Sequence, residues 1–374
     1  MHIRELAEKI AICAYCPFMC KDICTVYSQT KVESLSPSMH EYLLWLILEG
    51  KEKYSEEVAD ILYRTCSSCL LCQSWCATGQ DIPEKVRAAR MDLVELGLTP
   101  KPVRELNEAS LGEYNPYGRR RSERFREVSR VIPRERWDSG AETLYFIGCA
   151  TAYYQPGIAE ASTSIMDMGG VEFSVDSGEV CCGLPQFELG LLDTAKTLME
   201  HNRQVIKGRG YKSIVTSCPE CYYMLSRVYP SLGFDLKAEV HHISGYIKRL
   251  MDEGRIRFKG KLDGTVTYHD PCYLGRRCRI YEEPRLILRN AVEKFVEMRW
   301  NRDKAYCGGG GVGYSILYPE TAVKIGENLL REVEKIGADE IVTSCPTCKS
   351  QLERSIKNGK VKVHDLTEIV SQLI

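Results

Sequence analysis

The sequence predicts a mixed α/β protein, with an α-helical N-terminal domain followed by two tandem domains that each contain a parallel β-sheet. Three observations support this fold class. Eighteen of the 374 residues are cysteines, and eight of these form two closely spaced groups within the first 76 residues. Beyond Thr143, short apolar strands alternate with helical stretches, which is typical of parallel sheets. Several segments of the first sheet domain also recur 123 to 127 residues later.

Composition and charge exclude several classes of protein. Hydrophobic residues make up 44% of the chain and charged residues 27%, which favours a globular protein with a sizeable core. The formal net charge of -1 argues against nucleic-acid binding, which needs a net basic face. No apolar run approaches the ~20 residues that span a bilayer, and the N-terminus lacks a signal-peptide core. We therefore expect a cytoplasmic protein without a transmembrane segment, which can be peripheral to a membrane only through a partner.

The eight N-terminal cysteines are spaced like iron–sulfur ligands. The two groups are Cys13-x2-Cys16-x3-Cys20-x3-Cys24 and Cys66-x2-Cys69-x2-Cys72-x3-Cys76. In a ferredoxin run, three close cysteines bind one [4Fe–4S] cube and the fourth cysteine binds the other cube. This crossed pattern assigns one cubane cluster to Cys13, Cys16, Cys20 and Cys76, and the other to Cys66, Cys69, Cys72 and Cys24. The alternative metal is zinc, which typically takes its cysteines as two pairs and fits these quartets poorly.

Helices are expected around the two cysteine groups, in a domain that covers residues 1–100. Ser38 and Glu41 have the spacing of a capping box at the start of an apolar run that ends at Gly50. Asp81 is placed to cap the following helix, with Pro83 in its first turn.

Residues 101–140 have a different composition and are expected to form a linker. The segment carries prolines and a group of arginines between residues 119 and 126, namely Arg119, Arg120, Arg121, Arg124 and Arg126. A solvated connector is the favoured interpretation. The alternative is a docking surface for an acidic partner or an anionic substrate.

The remainder of the chain reads as two copies of one unit, residues 141–255 and 256–374. Strands are predicted at 144–147, 171–175, 214–216 and 240–243. The segment Ile214-Val-Thr-Ser-Cys-Pro-x-Cys221 recurs as Ile341-Val-Thr-Ser-Cys-Pro-x-Cys348. We expect the two copies to face each other across a pseudo-twofold axis. Because the cysteines follow strands, they should lie at the carboxyl ends of the sheets, where ligands bind in open α/β folds.

The cysteine pattern of the first copy resembles a known family. The spacing Cys149-x31-Cys181-Cys182-Gly183-x35-Cys218-x2-Cys221 is similar to the cysteine-rich CCG domain of heterodisulfide reductases and of related iron–sulfur subunits of glycolate, lactate and glycerol-3-phosphate oxidising enzymes. Two ferredoxin quartets followed by two CCG domains resemble the D subunit of heterodisulfide reductase. The resemblance implies two tandem Rossmann-like domains and a non-cubane [4Fe–4S] cluster. Its ligands in the first domain would be Cys149, Cys181, Cys182, Cys218 and Cys221.

The second copy departs from the family pattern. Tyr306 stands where the first cysteine of the adjacent pair belongs. Four cysteines remain for a further iron–sulfur cluster, namely Cys272, Cys307, Cys345 and Cys348. Cys278 is a candidate replacement ligand, although an ordinary thiol is the favoured interpretation.

The resemblance implies an oxidoreductase that passes electrons through two cubane clusters to the non-cubane cluster, which reduces a disulfide substrate. Its redox partner would be a flavoprotein or a protein of the cytochrome b type. His269 and Tyr306 are candidate catalytic residues, because reducing a disulfide consumes protons. The alternative is a non-catalytic subunit that carries electrons between a flavoprotein dehydrogenase and a quinone or soluble carrier.

Two further motifs allow other interpretations. Gly308-x-Gly310-x-x-Gly313 matches a dinucleotide fingerprint by its letters, but no clean strand precedes it, so close packing around Cys307 is favoured. The two Cys-Pro-x-Cys motifs also fit redox dithiols. Each has a distant Cys-Gly partner, which favours cluster ligation.

Overall fold

The computed structural model describes residues 1–17, 19–311, 313–357 and 359–374. Within the described part of residues 1–113, the regular elements are all helices. The α-helices are Ala7–Ala14, Cys20–Ile23, Thr25–Thr30, Pro37–Leu48, Glu56–Arg64, Leu71–Ser74, Ile82–Glu95 and Lys101–Glu113, and short 3₁₀ helices cover His2–Leu6 and Glu33–Leu35. Their apolar faces share a core that includes Ile10, Leu44 and Leu62. None of the described helices is both long and apolar enough to cross a lipid bilayer.

Two helix starts in this region test the sequence predictions. Asp81 caps the helix Ile82–Glu95, since its Oδ1 accepts a hydrogen bond of 2.9 Å from the Glu84 backbone N–H. The predicted capping box at Ser38 and Glu41 is wrong. Ser36 is the cap of the helix Pro37–Leu48, and its Oγ accepts from the Met39 backbone N–H at 3.4 Å. Glu41 is fully buried instead, because it points toward a lysine in the domain interior.

The segment 101–140 is not a solvated connector. It begins with the helix Lys101–Glu113 and continues through the 3₁₀ helices Arg121–Glu123, Val128–Arg130 and Arg134–Arg136. Arg124 is only 1% exposed and forms an ion pair with the buried Glu179. The favoured interpretation failed because a buried arginine and an exposed one look the same in composition. The partner carboxylate lies 55 residues away in the chain.

Each repeat unit contains a parallel sheet. The first sheet joins β1 (Thr143–Tyr145), β2 (Ser213–Thr216) and β3 (Glu239–His242) in that order, while the second joins β4 (Leu262–His269), β5 (Val292–Phe295), β6 (Glu340–Thr343) and β7 (Lys362–Asp365) in the order β5-β4-β6-β7. The predicted strand at 171–175 is reduced to isolated bridges, one of which joins Ser174 to Leu144 of β1. This bridge occupies the place that β5 holds in the second sheet.

Helices cover both sheets. In the first unit they are Cys149–Tyr154, Pro156–Met168, Leu184–Glu188, Leu192–Arg209, Pro219–Tyr223, Tyr229–Ser231 and Ile243–Asp252, with a π-helical turn at Met224–Val228. In the second unit they are Glu282–Ala291, Tyr314–Leu317, Pro319–Lys335, Pro346–Ser355 and Leu366–Leu373, with a π-helical turn at Tyr273–Arg277 and a 3₁₀ helix at Arg302–Lys304.

The two units are related by reciprocal contacts. Helix Pro156–Met168 packs on Leu366–Leu373, and their counterparts Glu282–Ala291 and Ile243–Asp252 pack on each other. Reciprocal pairing of this kind is what a twofold arrangement requires. One apolar core runs through the interface and includes residues of both units. The same hydrogen bond also occurs twice, from Tyr145 to Ser217 at 3.0 Å and from Tyr268 to Ser344 at 3.1 Å.

Asp365 is expected to make folding stability depend on pH. Burial raises the pKa of this carboxyl to about 7, while it caps the last helix by accepting from the Thr367 backbone N–H. The folded protein therefore holds a proton that the unfolded chain has lost. Stability should fall as pH rises from about 4 to 7, by up to about 4 kcal/mol. The variant Asp365→Asn keeps the acceptor oxygen and should lose this dependence, which thermal unfolding between pH 4.5 and 8 would measure. If the stability of the wild type and that of Asp365→Asn change with pH in the same way across this range, the assignment is contradicted.

Candidate metal centres

Five cysteines of the first unit lie together at the carboxyl ends of its strands. Cys149 and Cys181 are 3.8 Å apart between sulfur atoms. The Cys182 thiol interacts with those of Cys181 and Cys221, which lowers the pKa of Cys182 to about 7, and the Cys221 thiol also interacts with that of Cys218. All five are between 0% and 9% exposed, and each is a free thiol rather than half of a disulfide. The first unit therefore has a continuous set of five buried thiols.

The backbone around Cys149 is shaped to bring these thiols together. Gly148 adopts a φ of +78°, and a Cβ at this position would stand 3.1 Å from the Cys221 sulfur. A side chain at residue 148 would therefore push the two strand-end loops apart. The backbone N–H groups of Ile147 and Gly148 both donate to Glu179, at 2.8 and 2.9 Å. The buried Arg124 pairs with this same carboxylate, so the connecting segment helps to fix the loop that carries Cys149.

Sulfur chemistry indicates that these residues fit a metal cluster. The hydrogen bond that Cys149 donates to Cys181, together with burial, raises the pKa of Cys149 well above its usual range. Thiolates bind iron, and so many of them stay ionised in a dry site only when cations compensate their charge. Five adjacent sulfur donors match iron–sulfur coordination better than a four-coordinate zinc site.

The second unit brings together four of its cysteines. The Cys272 thiol raises the pKa of Cys307, and burial together with the Cys348 thiol raises the pKa of Cys345, so each pair of thiols lies close together. The charges of Cys272 and Cys307 also act on Cys348, which places the two pairs close together. Cys278 is not among these contacts. Burial raises the pKa of its thiol to about 12, and the nearby charges of Arg227 and Arg277 oppose this shift. The interpretation of Cys278 as an ordinary thiol agrees with this position.

The two candidate catalytic residues occupy different surroundings. His269 ends β4 and is 1% exposed, and burial lowers the pKa of its imidazole to about 3. A neutral imidazole is a poor proton source at pH 7, so its role as a proton donor stays a prediction that this environment disfavours. Tyr306 packs in an apolar cluster and its ring centroid lies 5.7 Å from that of Trp300. The Tyr306 side chain therefore does not take the place of the missing thiol.

Two glycines of the glycine-rich motif that follows Cys307 are held by close packing. Gly309 has a φ of +87°, and a Cβ there would lie 2.5 Å from the Ala322 carbonyl oxygen. A Cβ on Gly310 would lie 2.7 Å from the Thr347 carbonyl oxygen. The glycines are thus needed where the loop after Cys307 touches two helices. This agrees with the packing interpretation of the motif.

The first N-terminal quartet surrounds a cavity of about 190 Å³. Its lining includes Cys13, Cys16 and Cys20 together with Cys76, in agreement with the crossed assignment. Cys72 also reaches this lining. Most of the remaining lining is apolar, which keeps water away from the sulfur atoms and influences the reduction potential of a bound cluster.

The second N-terminal quartet lies against the second repeat unit. Cys24 is close enough to Cys66 and Cys69 for their charges to interact, and burial raises the pKa of Cys72 well above its usual range. The Cys307 thiol, together with burial, raises the pKa of Cys69 well above its usual range, so these two thiols lie close together. Sequence reasoning did not find this contact, because nothing in the spacing links residues 69 and 307. It makes the thiols of the N-terminal domain continuous with those of the second unit.

A buried lysine contacts the first quartet. The Lys85 Nζ lies 2.9 Å from the Cys13 sulfur and 2.9 Å from Glu41 Oε2, and both charged side chains are fully buried. It also donates to the Lys9 carbonyl oxygen at 3.2 Å. A buried ammonium is costly, so its contact with a ligand sulfur points to an electrostatic role at this site.

Replacing Lys85 by methionine is expected to lower the reduction potential of the cluster that Cys13 binds. The reason is that the Lys85 ammonium stabilises the added negative charge of the reduced cluster. Glu41→Gln should raise the same reduction potential, because it removes the carboxylate that compensates this ammonium. We expect at least a tenfold change in the one-electron equilibrium, or about 59 mV. Potentiometric titration followed by EPR measures both shifts. Lys9→Met is the matched control, because the Lys9–Glu84 ion pair joins the same two helices at the surface. Shifts of the same sign in Lys85→Met and Glu41→Gln would contradict the electrostatic account.

Comparisons with known proteins bear on both repeat units. The family model of the CCG cysteine-rich domain matches residues 143–226 and 266–353. The chain is 31% identical over 318 residues to the D subunit of the dihydromethanophenazine:CoB–CoM heterodisulfide reductase of Methanosarcina acetivorans, with 83% of this chain and 77% of that protein covered. It is 28% identical over 376 residues to the B subunit of the fumarate reductase (CoM/CoB) of Methanothermobacter marburgensis, with 97% and 72% covered. It is 26% identical over 326 residues to the probable iron-sulfur-binding oxidoreductase FadF of Bacillus subtilis, with 83% and 46% covered. The two matched ranges contain all nine strand-end cysteines.

Proposed function

Because the chain belongs to the family of the heterodisulfide reductase D subunit, we propose that it passes electrons through two cubane clusters to a non-cubane cluster that reduces a disulfide. The family consists of iron–sulfur proteins of the oxidoreductase type, which supports the general activity. The observation that carries the proposal is the set of five contacting thiols in the first unit. An adjacent cysteine pair within such a set suits a cluster with an open, non-cubic arrangement.

The reaction is balanced by two electrons and two protons. A disulfide R–S–S–R′ takes up two electrons from a redox partner and two protons, its S–S bond breaks, and the thiols RSH and R′SH form. The cysteine groups would hold clusters that supply these electrons one at a time. The protein positions the disulfide, excludes water and insulates the route.

A cleft between the two units supports a small-molecule substrate. A cavity of about 460 Å³ is lined by Tyr117, Ala150 and Tyr154 on one side and by Thr347 and Arg354 on the other. A narrower cavity shares Tyr117, Ala150 and Thr347 with it and reaches Cys149, Cys182, Cys218 and Cys221. A molecule that enters the cleft can thus approach the thiols of the first unit. Tyr117 lines both cavities and is placed to contact it.

The exposed face around the first quartet supports docking of a redox partner, of the flavoprotein or cytochrome b type. Ile12, Tyr15 and Met19 are 46%, 78% and 64% exposed, and Ile12 and Met19 line the cavity of the first quartet. Exposed apolar side chains grouped in this way are common at interaction sites. Electrons would enter here, since this quartet lies farthest along the chain of thiol contacts from the first unit.

A second candidate function is electron transfer without a substrate. The observation that favours it is the contact between Cys69 and Cys307, which connects the N-terminal domain to the unit that lacks one ligand. In this case electrons would pass between a flavoprotein dehydrogenase and a quinone or soluble carrier. The cleft would then have no role in catalysis.

Anaerobically purified protein distinguishes the two functions. Iron and acid-labile sulfide should be present, with no zinc at the quartets. With reduced methyl viologen as donor, we expect two thiols to form for each CoB–CoM heterodisulfide or cystine consumed. Clusters that accept electrons without releasing thiols would support the second function. Zinc without sulfide would contradict both functions.

A further inference from the structure

His269 is a buried imidazole that has no hydrogen-bond partner among the described residues. It is 1% exposed, and neither Nδ1 nor Nε2 meets a donor or acceptor in that part of the chain. A buried polar group left in this state costs about 1–3 kcal/mol. Polar groups of native proteins are rarely left so, and the exceptions usually mark a bound ion or a functional role.

The imidazole lies beside the four thiols of the second unit. Its Nε2 is 3.3 Å from the point where a Cβ on Gly308 would stand, and the Cys348 sulfur is 3.8 Å from the same point. Residue 308 is a glycine, so it places no side chain of its own in the space between the imidazole and that sulfur. His269 also precedes Cys272 by only three residues at the end of β4.

The two repeat units differ at this position in a complementary way. Phe146 is the counterpart of His269 in the first unit, where it packs in the cluster that contains Cys182, Cys218 and Cys221. The first unit thus has a phenylalanine beside five clustered cysteines, while the second has a histidine beside four clustered cysteines, with Cys278 outside the cluster. The missing thiol is at Tyr306, whose ring turns into an apolar cluster instead. One nitrogen donor is therefore gained in the unit that loses one sulfur donor.

We propose that His269 is a ligand of the iron–sulfur cluster held by Cys272, Cys307, Cys345 and Cys348. This inference rests on the proposed cluster content of the second unit, and it assigns the histidine a metal-binding role rather than proton transfer. Neutral imidazole is a good iron ligand, and histidine ligands on an iron–sulfur cluster raise its reduction potential relative to cysteine ligands. The two units would then differ in potential as well as in ligand set.

Nitrogen hyperfine coupling tests the ligand directly. The protein is prepared anaerobically with ¹⁵N-labelled histidine, and the EPR signal of the second unit is identified as the one that Cys345→Ala removes. Pulsed EPR on that signal should show a strongly coupled ¹⁵N nucleus. The variant His269→Phe introduces the residue of the first unit and should lose the coupling. His364→Gln is the control, because His364 lies on the edge strand β7 with its Nε2 3.2 Å from Glu340 and should leave the coupling unchanged.

Three outcomes would overturn the inference. The first is a second-unit signal without ¹⁵N coupling, and the second is coupling that persists in His269→Phe. The third is an iron content that Cys345→Ala leaves unchanged, which would mean that the second unit holds no cluster. Disulfide reduction at the first unit is assayed separately, so its failure is distinguishable from these. If His269→Phe does not fold, His269→Cys decides the question, since a ligating residue should keep the iron while losing the nitrogen coupling.

Discussion

Replacing Cys181 by alanine is expected to abolish disulfide reduction while leaving the N-terminal clusters in place. Cys181 is fully buried and lies between Cys149 and Cys182 in the chain of thiol contacts. Without it, the first unit keeps four sulfur donors and loses the adjacent pair. We expect thiol release to fall to the rate measured without protein. The EPR signal of the first unit should also disappear, together with any change that added thiol causes in that signal. Anaerobic assays with reduced methyl viologen and EPR of the oxidised protein measure these effects.

The control for this variant is Cys278→Ala. Cys278 is a thiol outside the contacting groups, so its removal should preserve iron content, EPR signals and turnover. Iron lost from all centres of Cys181→Ala would indicate a folding defect instead. Full turnover in Cys181→Ala would show that the five-thiol set is not the reducing site.

Replacing Glu188 by alanine is expected to destabilise the assembly of the three parts of the chain. Its carboxylate accepts from Ser68 Oγ at 3.1 Å in the N-terminal domain and from Tyr273 OH at 3.0 Å in the second unit. Although burial opposes ionisation, Arg87 and Arg277 lower the pKa of Glu188, so the buried group carries a charge. Its loss leaves Arg277 buried with less compensation, at a cost of about 3–5 kcal/mol. Denaturant unfolding measures this cost.

A second readout distinguishes loss of docking from general instability. In Glu188→Ala, electrons given to the N-terminal clusters should reach the first unit more slowly, because the domains lose a shared contact. Glu200→Ala is the matched control, since Glu200 pairs with Arg203 at the surface and should cost at most about 1 kcal/mol. Equal unfolding free energies for the two variants would contradict a structural role for Glu188.

The sequence was sufficient for the elements that local patterns determine. The parallel sheets follow from apolar runs such as Ile214–Thr216, and the twofold repeat follows from the recurrence of Ser-Cys-Pro-x-Cys. The crossed grouping of Cys76 with Cys13 stays a prediction that rests on the known stereochemistry of ferredoxin spacing, and both residues line one cavity. In these cases the residues that determine the feature lie close together in the sequence or recur in a direct repeat.

Contacts between distant segments were not predictable. No pattern links Cys69 to Cys307, or Arg124 to Glu179, because each pair meets only once three parts of the chain have packed. The cap at Ser36 was missed because Ser38 and Glu41 match the box by spacing, while Glu41 is drawn inward by Lys85. Burial of a charge depends on its partner, which the sequence alone does not reveal.

The buried contacts of residues 101–140 limit how this polypeptide can be separated into two independently expressed pieces. Gln186 donates to Ser110 at 2.6 Å, Cys181 donates its backbone N–H to the Tyr114 carbonyl oxygen at 3.1 Å, and Arg124 compensates Glu179. A cut near residue 140 would place the two partners of each contact on different fragments. Glu179 would then be buried without the compensating charge of Arg124. A cut at the turn around Gly97 keeps them together. Of these two positions, a cut ahead of Lys101 therefore preserves the contacts of residues 101–140, while the contacts of Glu188 with Ser68 and Arg87 must then form between the two pieces.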